Sequence, residues 1–399
     1  MLRERPGSGT IAAVFSSRSA TDRQPNLLSQ ALERARQSGR TILDLTLSNP
    51  TRAGLPYAAS AIQQALTDPR ALRYEPEPFG LPAARQAVAG HLAERGLDVP
   101  PSRILLTAST SEAYGFALKL LCDPGDEVLV PAPSYPLLEH LAGYESVQLS
   151  RYPLGYDGAW HIDLDDLARR VSERTRAIIV VSPNNPTGSY LKRDELRALE
   201  RLGLPVISDE VFASYPLSDD PRRAASALEA RDVLVLALGG LSKLAALPQM
   251  KLAWAALGGP SALVDEALGR LEMIADAYLS VGTPVQLALP SLLASRRGAE
   301  HAICERSRDN LAALRRALAD SAATVLHVEG GWYAVVRLPA TRSEDEWVLA
   351  LLERHGVLVQ PGWFYDFVME PVVIVSLLTP GPELVDGAAR LAASVAVPA

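Results

Sequence analysis

Short apolar runs separated by polar turns occupy the middle of the chain. Their β-branched and aliphatic side chains predict buried strands. The six runs are Ile104–Thr107, Glu127–Val130, Ala177–Val181, Val206–Asp209, Val233–Leu238 and Leu252–Leu257. Several of them are separated by stretches with apolar residues at helical spacing. This alternation predicts an α/β fold in which a mainly parallel sheet is flanked by helices.

The two ends of the chain have a different pattern. Helical spacing over Asn26–Ser38 and a strand-like run at Ile42–Leu47 predict an N-terminal helix and strand. Beyond a long helical region, Pro260–Leu318, a helix at Glu344–His355 is predicted among three strand-like runs: Thr324–Val328, Trp332–Leu338 and Val372–Leu377. We therefore divide the chain into an N-terminal arm with part of the small domain at residues 1–51, a large domain that contains the sheet at 52–282 and a small α+β domain at 283–399.

Composition narrows the class of protein. A chain of 399 residues with a net charge of -7 is long enough for two domains and too acidic to favour nucleic acid as a partner. The two cysteines, Cys122 and Cys304, lie in apolar helical contexts, which favours buried reduced thiols and a cytoplasmic protein over a disulfide or a metal site. The first 15 residues are too weakly apolar for a signal peptide and predict a mobile arm, and no segment predicts a membrane span.

Polar residues follow the predicted strands at the edge where open α/β sheets bind ligands. Ser242 and Lys243 come after Val233–Leu238, and Lys251 follows eight residues after Lys243. An amine, a hydroxyl and a second cation at a strand end suit a cofactor that carries an aldehyde and a phosphate. The alternative is an ordinary surface lysine in a loop.

Polar residues that suit the same type of cofactor also follow three further predicted strands. Ser109-Thr110-Ser111 opens a predicted helix, whose free N–H groups attract phosphate, although an ordinary helix cap has the same pattern. The turn Ser182–Gly188 leaves Asn185 as a directed amide. Asp209 closes a buried strand, where a carboxylate is costly unless it is paired, and a pyridinium nitrogen is a suitable partner.

Together these segments resemble a known family. Asn185-Pro186-Thr187-Gly188, Asp209-Glu210-Val211-Phe212 and Ser242-Lys243, with a cation eight residues later, are similar in order and interval to the motifs of class I/II aminotransferases. These belong to the aspartate aminotransferase family of fold type I enzymes, which depend on pyridoxal 5'-phosphate (PLP). The resemblance covers about Ile42–Leu377, nearly the whole chain.

The resemblance implies a role for each matched residue. Lys243 would form a Schiff base with PLP and move the substrate proton, and Asp209 would keep the pyridine nitrogen protonated. Asn185 would donate to the phenolic oxygen, and Tyr135 would stack on the ring. The residues implied for the phosphate are Ser109, Thr110, Ser111, Ser242 and Lys251, joined by Tyr74 of a neighbouring subunit. This last role implies a homodimer with shared active sites.

The sequence departs from the family at three positions. Lys251 replaces an arginine: the positive charge is kept, but the guanidinium group that can make two parallel hydrogen bonds to the phosphate is lost. Phe212 replaces a tyrosine whose hydroxyl donates to the phenolic oxygen of the cofactor. Ile374 replaces the arginine that clamps the substrate's α-carboxylate. Either the substrate lacks that carboxylate, or another arginine, Arg52 or Arg337, binds it instead.

Takeover by one of these arginines is the favoured prediction, because Asn185 is also placed to touch a carboxylate and most of the family acts on amino acids. Ser48, in the turn before Arg52, is a further substrate-binding candidate.

The predicted function is a PLP-dependent aminotransferase that moves an amino group between a small amine or amino acid and an oxo acid. A PLP-dependent lyase, decarboxylase or bond-forming enzyme is the alternative, since the same fold supports several outcomes. A cofactor-sensing regulator would carry an added DNA-binding domain, and a fold without cofactor is disfavoured because Lys243, Asp209 and Asn185 are all present.

Overall fold

The computed structural model describes residues 15–19, 24–279, 281–368 and 371–396. Most of the N-terminal arm predicted for the first 15 residues therefore lies outside the described residues. The helices are α1 Leu27–Gln37, α2 Ala59–Ala65, α3 Pro82–Glu94, α4 Thr110–Leu121, α5 Leu137–Tyr144, α6 Leu164–Arg170, α7 Arg193–Glu200, α8 Leu241–Leu244, α9 Ser261–Tyr278, α10 Thr283–Ser295, α11 Arg297–Leu318, α12 Glu344–His355 and α13 Gly381–Ala396. The strands are β1 Leu43–Asp44, β2 Ile104–Thr107, β3 Glu127–Ala132, β4 Gln148–Tyr156, β5 Trp160–Ile162, β6 Thr175–Val181, β7 Val206–Asp209, β8 Val235–Gly240, β9 Ala253–Gly258, β10 Thr324–Val325, β11 Tyr333–Arg337, β12 Val357–Leu358, β13 Gln360–Pro361 and β14 Val372–Ser376.

The large sheet has the strand order β2-β9-β8-β7-β6-β3-β4-β5. Its centre, from β8 through β7, β6 and β3 to β4, is parallel, whereas β9 pairs antiparallel with both β8 and β2, and β5 pairs antiparallel with β4. Helices cover both faces: α3 and α10 contribute to one buried cluster, and α4 and α9 contribute to the other. Because helices cover both faces of the sheet, side chains on both sides of its central strands are buried, and these strands consist of continuous apolar residues. The predicted α/β class with a mainly parallel sheet is confirmed.

A second, antiparallel sheet, β10-β11-β14-β13, forms the smaller unit near the C-terminus. β1 pairs in parallel with β12, and α1 packs on α12, so the N-terminal segment joins this unit. Its core contains the apolar faces of α12, α13 and the end of α11.

The structure corrects several predicted elements. The run Ile42–Leu47 has only two residues in strand conformation, and the hairpin β4–β5 was not predicted. Pro153 and Gly155 interrupt the β4 pattern, and the hairpin lies at the sheet edge, where only one neighbour requires regular pairing. Helix α13 was also missed.

The packing of α10 bears on the predicted boundary at residue 282. Ala288, Leu289, Leu292 and Leu293 of α10 are buried in the cluster that α3 and the large sheet share. The end of α11, in contrast, packs in the core of the smaller unit. Helix α10 therefore packs with the large sheet, and the end of α11 packs with the smaller unit.

A buried ion pair joins the two units. Lys192 Nζ lies 2.7 Å from both carboxylate oxygens of Glu329, and the side chains are only 8% and 4% exposed. The same carboxylate accepts a hydrogen bond from the backbone N–H of Tyr190. Glu329 therefore connects the loop after β6 to the turn before β11.

In the part of the chain that the structure describes, no helix is long and apolar enough to cross a membrane.

Candidate active site

A cavity of about 340 Å³ lies at the carboxyl ends of the large sheet's parallel strands, closed on its other side by the smaller unit. Open α/β sheets bind ligands at this edge, and the volume is within the range of small-molecule sites. Its lining residues are Ser48, Thr110, Tyr114, Ser134, Tyr135, Leu137, Leu138, Val181, Asn185, Asp209, Val211, Phe212, Ser242, Lys243, Tyr333, Gln360, Phe364 and Tyr365.

Lys243 enters the cavity from α8, directly after β8. The approach of β8 to β9 requires glycine at position 239, because a Cβ there would lie 2.6 Å from Trp254 Nε1. The hydroxyl of Tyr215 donates to the Lys243 carbonyl at 2.6 Å and holds the short helix in place. Burial lowers the pKa of the Lys243 amine, while the nearby Asp209 carboxylate acts in the opposite direction. A lysine with a lowered pKa has more of the neutral amine that can act as a nucleophile.

Asp209 is the last residue of β7, and its carboxylate reaches the cavity surface. Oδ1 accepts from the Val211 N–H at 3.1 Å, and Oδ2 accepts from the Tyr114 hydroxyl at 3.2 Å. Burial raises the pKa of Asp209 to about 6, although both hydrogen bonds and Lys243 act against this rise. The carboxylate is thus costly in the protein alone and would gain from a cationic partner in the cavity.

Asn185 lies in the loop after β6, which neighbouring side chains fix. Asn184 Oδ1 accepts from the N–H and the hydroxyl of Thr187, and its Nδ2 donates to the Pro133 carbonyl. Gly188 has φ +74°, and a Cβ there would lie 2.6 Å from the Gly330 carbonyl oxygen. The loop is therefore clamped between two other loops, so that Asn185 is held in position.

Two polar atoms near the cavity are buried without a partner among the described residues: Asn185 Oδ1 and Ser134 Oγ. Buried polar groups are normally paired, so both are suited to a bound ligand.

Helix α4 points its first turn toward the same cavity. Ser109 is the N-cap, and its hydroxyl oxygen accepts from the Glu112 N–H at 3.1 Å. Thr110 lines the cavity directly, whereas Ser109 and Ser111 lie beside it in the sequence and do not. The free N–H groups of this turn favour an anion.

Aromatic residues from both units form a second surface of the cavity. We name Tyr135, Phe212, Tyr333, Phe364 and Tyr365 the aromatic wall. Ring centres are 6.2 Å apart for Phe212 and Tyr333, and 5.2 Å apart for Phe364 and Tyr365. The Tyr135 ring lies 6.4 Å from each of the latter two. These spacings are typical of interacting aromatic pairs.

The structure brings some of the predicted site residues together and leaves others apart. Those at the cavity are Ser48, Thr110, Tyr135, Asn185, Asp209, Phe212, Ser242 and Lys243. Those outside its lining are Ser109, Ser111, Lys251, Tyr74, Arg52 and Arg337.

Exposure and position separate the last four of these residues from the cavity. Tyr74 is 79% exposed, and Lys251, Arg52 and Arg337 are also exposed. Arg337 lies at the opposite end of β11 from Tyr333, roughly 13 Å away along the strand. Takeover of the carboxylate site by Arg337, an expectation from the sequence, therefore finds no support in the geometry.

Sequence reasoning missed several lining residues. The hydroxyl of Tyr114 donates to Asp209, and the spacing of four residues between Tyr114 and Thr110 was the signal that both share a helix face. Gln360, Phe364 and Tyr365 lie far from every motif, and no local pattern marks them. The others missed are Ser134, Leu137, Leu138, Val181, Val211 and Tyr333.

Comparison with known proteins places the chain in a family. Residues 40–371 match the family model described as aminotransferase class I and II. The chain belongs to the class I and II aminotransferase family. The predicted resemblance is thereby confirmed.

Relatives of this aminotransferase chain are themselves named as aminotransferases. Glutamate-pyruvate aminotransferase AlaA of Escherichia coli K12 is 31% identical over 271 residues, which cover 65% of each chain. Nicotianamine aminotransferase 1 of Oryza sativa subsp. japonica is 31% identical over 230 residues, covering 55% of this chain and 45% of that protein. The matches thus span less than two thirds of these relatives.

Among solved structures, an alanine aminotransferase from Pyrococcus furiosus superposes with a TM-score of 0.84 at 23% identity, covering 92% of this chain and 95% of that one. At this identity the likeness shows the fold alone, which is fold type I.

The cavity fits the cofactor on which this aminotransferase family depends, PLP. A buried amine, a buried carboxylate with a raised pKa, the side-chain amide of Asn185 and a helix N-terminus are grouped at one site. Each complements one part of PLP: the aldehyde, the ring nitrogen, the ring substituents and the phosphate.

Proposed function

We propose that this protein is a PLP-dependent aminotransferase that moves an amino group between a small amine or amino acid and an oxo acid. The observation that carries the proposal is the convergence of Lys243, Asp209 and Asn185 on one cavity at the sheet edge. Bound PLP would supply an aldehyde that accepts the amino group and a ring that withdraws electrons from the substrate carbon. The lyase, decarboxylase and bond-forming alternatives are not favoured, since the relatives above are named as aminotransferases.

The residues at the cavity divide the work of holding the cofactor. Lys243 would bond its aldehyde as a Schiff base and, once released, would carry the substrate's proton. Asp209 would pair with the ring nitrogen. The Tyr114 hydroxyl donates to the Asp209 carboxylate and would hold it in position for this contact. Asn185 would donate to the phenolic oxygen and Tyr135 would stack on the ring, while Thr110 and Ser242 would hold the phosphate.

Ser109, Ser111 and Lys251 are proposed as further phosphate ligands. The first two flank Thr110 at the α4 N-terminus, and Lys251 follows α8 in a left-handed backbone conformation with φ 51°. Phe212, where the family resemblance expects a donor, packs against Trp332 at 4.9 Å between ring centres and would support the ring by contact alone.

A direct experiment tests the proposal. The purified protein, loaded with PLP, is reduced with borohydride, digested and mapped by mass spectrometry, and a panel of amines and amino acids is assayed for carbonyl products. We expect the label on Lys243 and a carbonyl product from at least one donor. A label on another lysine would contradict the assignment, and release of carbon dioxide or an eliminated group instead would favour the alternative reactions.

We further propose a homodimer with shared active sites. Tyr74 is 79% exposed and Leu72 is 92% exposed, so this loop presents large apolar surface outward from its own cavity. Mixing inactive Lys243→Ala chains with Tyr74→Ala chains should restore activity if Tyr74 serves the neighbouring site, because one site of each mixed dimer is then intact. Light scattering gives the mass, and a monomer would exclude the arrangement.

A cytoplasmic location is part of the proposal. Cys122 and Cys304 are both free thiols, which suits a reducing compartment.

A further inference from the structure

The reacting amine borders the aromatic wall. Lys243 Nζ lies 5.9 Å from the centre of the Phe212 ring and 5.7 Å from that of Trp332, behind the wall. A substrate carbon that exchanges a proton with this amine must come within a few ångströms of it. The group attached to that carbon therefore lies close to aromatic side chains.

Ile374 occupies the position at which the family resemblance places a carboxylate-binding arginine. It is 1% exposed in the middle of β14, opposite Val335 on one side and Gln360 on the other. It belongs to the same apolar cluster as Phe212 and Tyr365 of the wall. The space behind the wall is thus filled with packed apolar side chains.

Nearby arginines are engaged elsewhere or exposed. Arg151, close to Tyr135, donates from Nε to Asp366 at 2.8 Å and from Nη2 to Glu139 at 3.3 Å. Arg52 and Arg337 are exposed and lie outside the lining. Within the described residues that line the cavity, Lys243 is the cation, and its amine is committed to the cofactor and the proton.

Two buried tyrosines of the wall, Tyr333 and Tyr365, carry no charge. Burial raises the pKa of Tyr333 to about 12, and burial also raises the pKa of Tyr365, so both hydroxyls stay protonated at neutral pH. The Tyr365 hydroxyl donates to Gln360 Oε1. A carboxylate held against neutral rings and amides would lose its hydration without gaining a charge partner, whereas an apolar group would gain contact area.

We propose that the site takes primary amines that carry an aromatic or other apolar side chain but no carboxylate on the amine-bearing carbon, with aldehydes or ketones of the same class as acceptors. This inference rests on the proposed function and specifies its substrates. The donor amine becomes a carbonyl compound as the acceptor carbonyl becomes an amine, so nitrogen, protons and electrons balance between the two substrates.

A binding measurement tests this independently of turnover. Calorimetry on the PLP-loaded protein compares 3-phenylpropanamide with 3-phenylpropanoate, two ligands of the same shape that differ in charge. We expect the neutral amide to bind at least about tenfold more tightly. Equal or tighter binding of the carboxylate, or failure of the amide to bind, would overturn the inference.

A reaction measurement separates this inference from the proposed function. 2-Phenylethylamine and L-phenylalanine are compared as donors in single-turnover assays, and we expect the amine to react faster. Faster reaction of phenylalanine would overturn the substrate class and leave the aminotransferase proposal intact. No transfer from any donor, with the amide still preferred in binding, would reject the aminotransferase proposal alone.

Two pairs of variants test whether a positive charge in this part of the cavity changes the ligand preference. Ile374→Arg should shift the binding preference toward 3-phenylpropanoate, whereas Ile374→Met, similar in bulk and uncharged, should not. Because Ile374 is buried, Gln360→Lys offers a second route: it places a cation at a partly exposed cavity position, with Gln360→Met as its control. If both cationic variants fold and neither gains affinity for the carboxylate, the wall does not set the substrate class.

Discussion

The two surfaces of the cavity follow different rules. The polar wall, Thr110, Asn185, Asp209, Ser242 and Lys243, comes from strand ends of one parallel sheet, and hydrogen bonds or close backbone packing fix its key members. The aromatic wall combines residues of both units and consists of neutral rings. The first contains the residues that we propose hold the cofactor, and the second is the surface from which we infer the substrate class. On these proposals, cofactor binding and substrate specificity depend on different parts of the fold.

The largest difference between the two walls is expected in the rate of amino transfer, when the amine of Lys243 is removed. Lys243→Ala removes the nucleophile and proton carrier, so we expect the rate of amino transfer to fall by roughly 10⁴-fold or more. Tyr365→Phe in the aromatic wall should alter the rate by about tenfold or less. Initial rates measure both, and circular dichroism checks the fold. Similar losses in the two variants would contradict the division of roles.

The ion pair that joins the two units, Lys192–Glu329, comes next. Glu329→Gln leaves Lys192 buried without its charge partner, which should lower the free energy of unfolding by about 3–5 kcal/mol. The exposed pair Arg34–Glu353 provides a matched control, since Glu353→Gln should cost less than about 1 kcal/mol. Urea unfolding measures both, and equal costs would mean that the buried pair contributes no more than a surface pair.

Asp209 should make the stability of the cofactor-free protein depend on pH. Its pKa is raised to about 6 in the folded protein, above its value in the unfolded chain. Between these two pKa values the carboxyl is ionised in the unfolded chain but protonated in the folded protein, which lowers the free energy of unfolding. The penalty is absent below pH 4, develops between about pH 4 and 6, and then reaches at most about 3 kcal/mol. The stability of Asp209→Asn relative to the wild type should therefore be greater at pH 7 than at pH 4.

A variant in the aromatic wall serves as its control. The Tyr333 hydroxyl does not titrate between pH 4 and 7, because burial raises its pKa to about 12. The stability difference between Tyr333→Phe and the wild type should thus be constant over this range. Thermal unfolding at several pH values distinguishes the two patterns, and a constant difference for Asp209→Asn would argue against a raised pKa.

The smallest effect concerns the phosphate. Lys251 is exposed and screened by solvent, so Lys251→Ala should weaken PLP binding by about tenfold or less, while Lys251→Arg should preserve or tighten it. Arg337→Ala, at the far end of β11, should leave the dissociation constant unchanged. Fluorescence titration of the cofactor-free protein measures all three, and equal affinities for Lys251→Ala and the wild type would exclude this role.

The sequence alone determined the α/β class and the family, because continuous apolar runs require a doubly covered sheet and the motifs are local. Asn185, Asp209 and Lys243 each follow a predicted strand, and parallel strands place such residues at one edge. Only the tertiary structure could add Tyr114 to Asp209, or bring Gln360 and Tyr365 to the cavity, because these contacts join residues far apart in the chain. The carboxylate site depends on the same distinction: Ile374 by itself left binding by Arg52 or Arg337 open, and our proposal of a substrate without that charge rests on the packing of β14 behind the aromatic wall and on the exposed positions of both arginines.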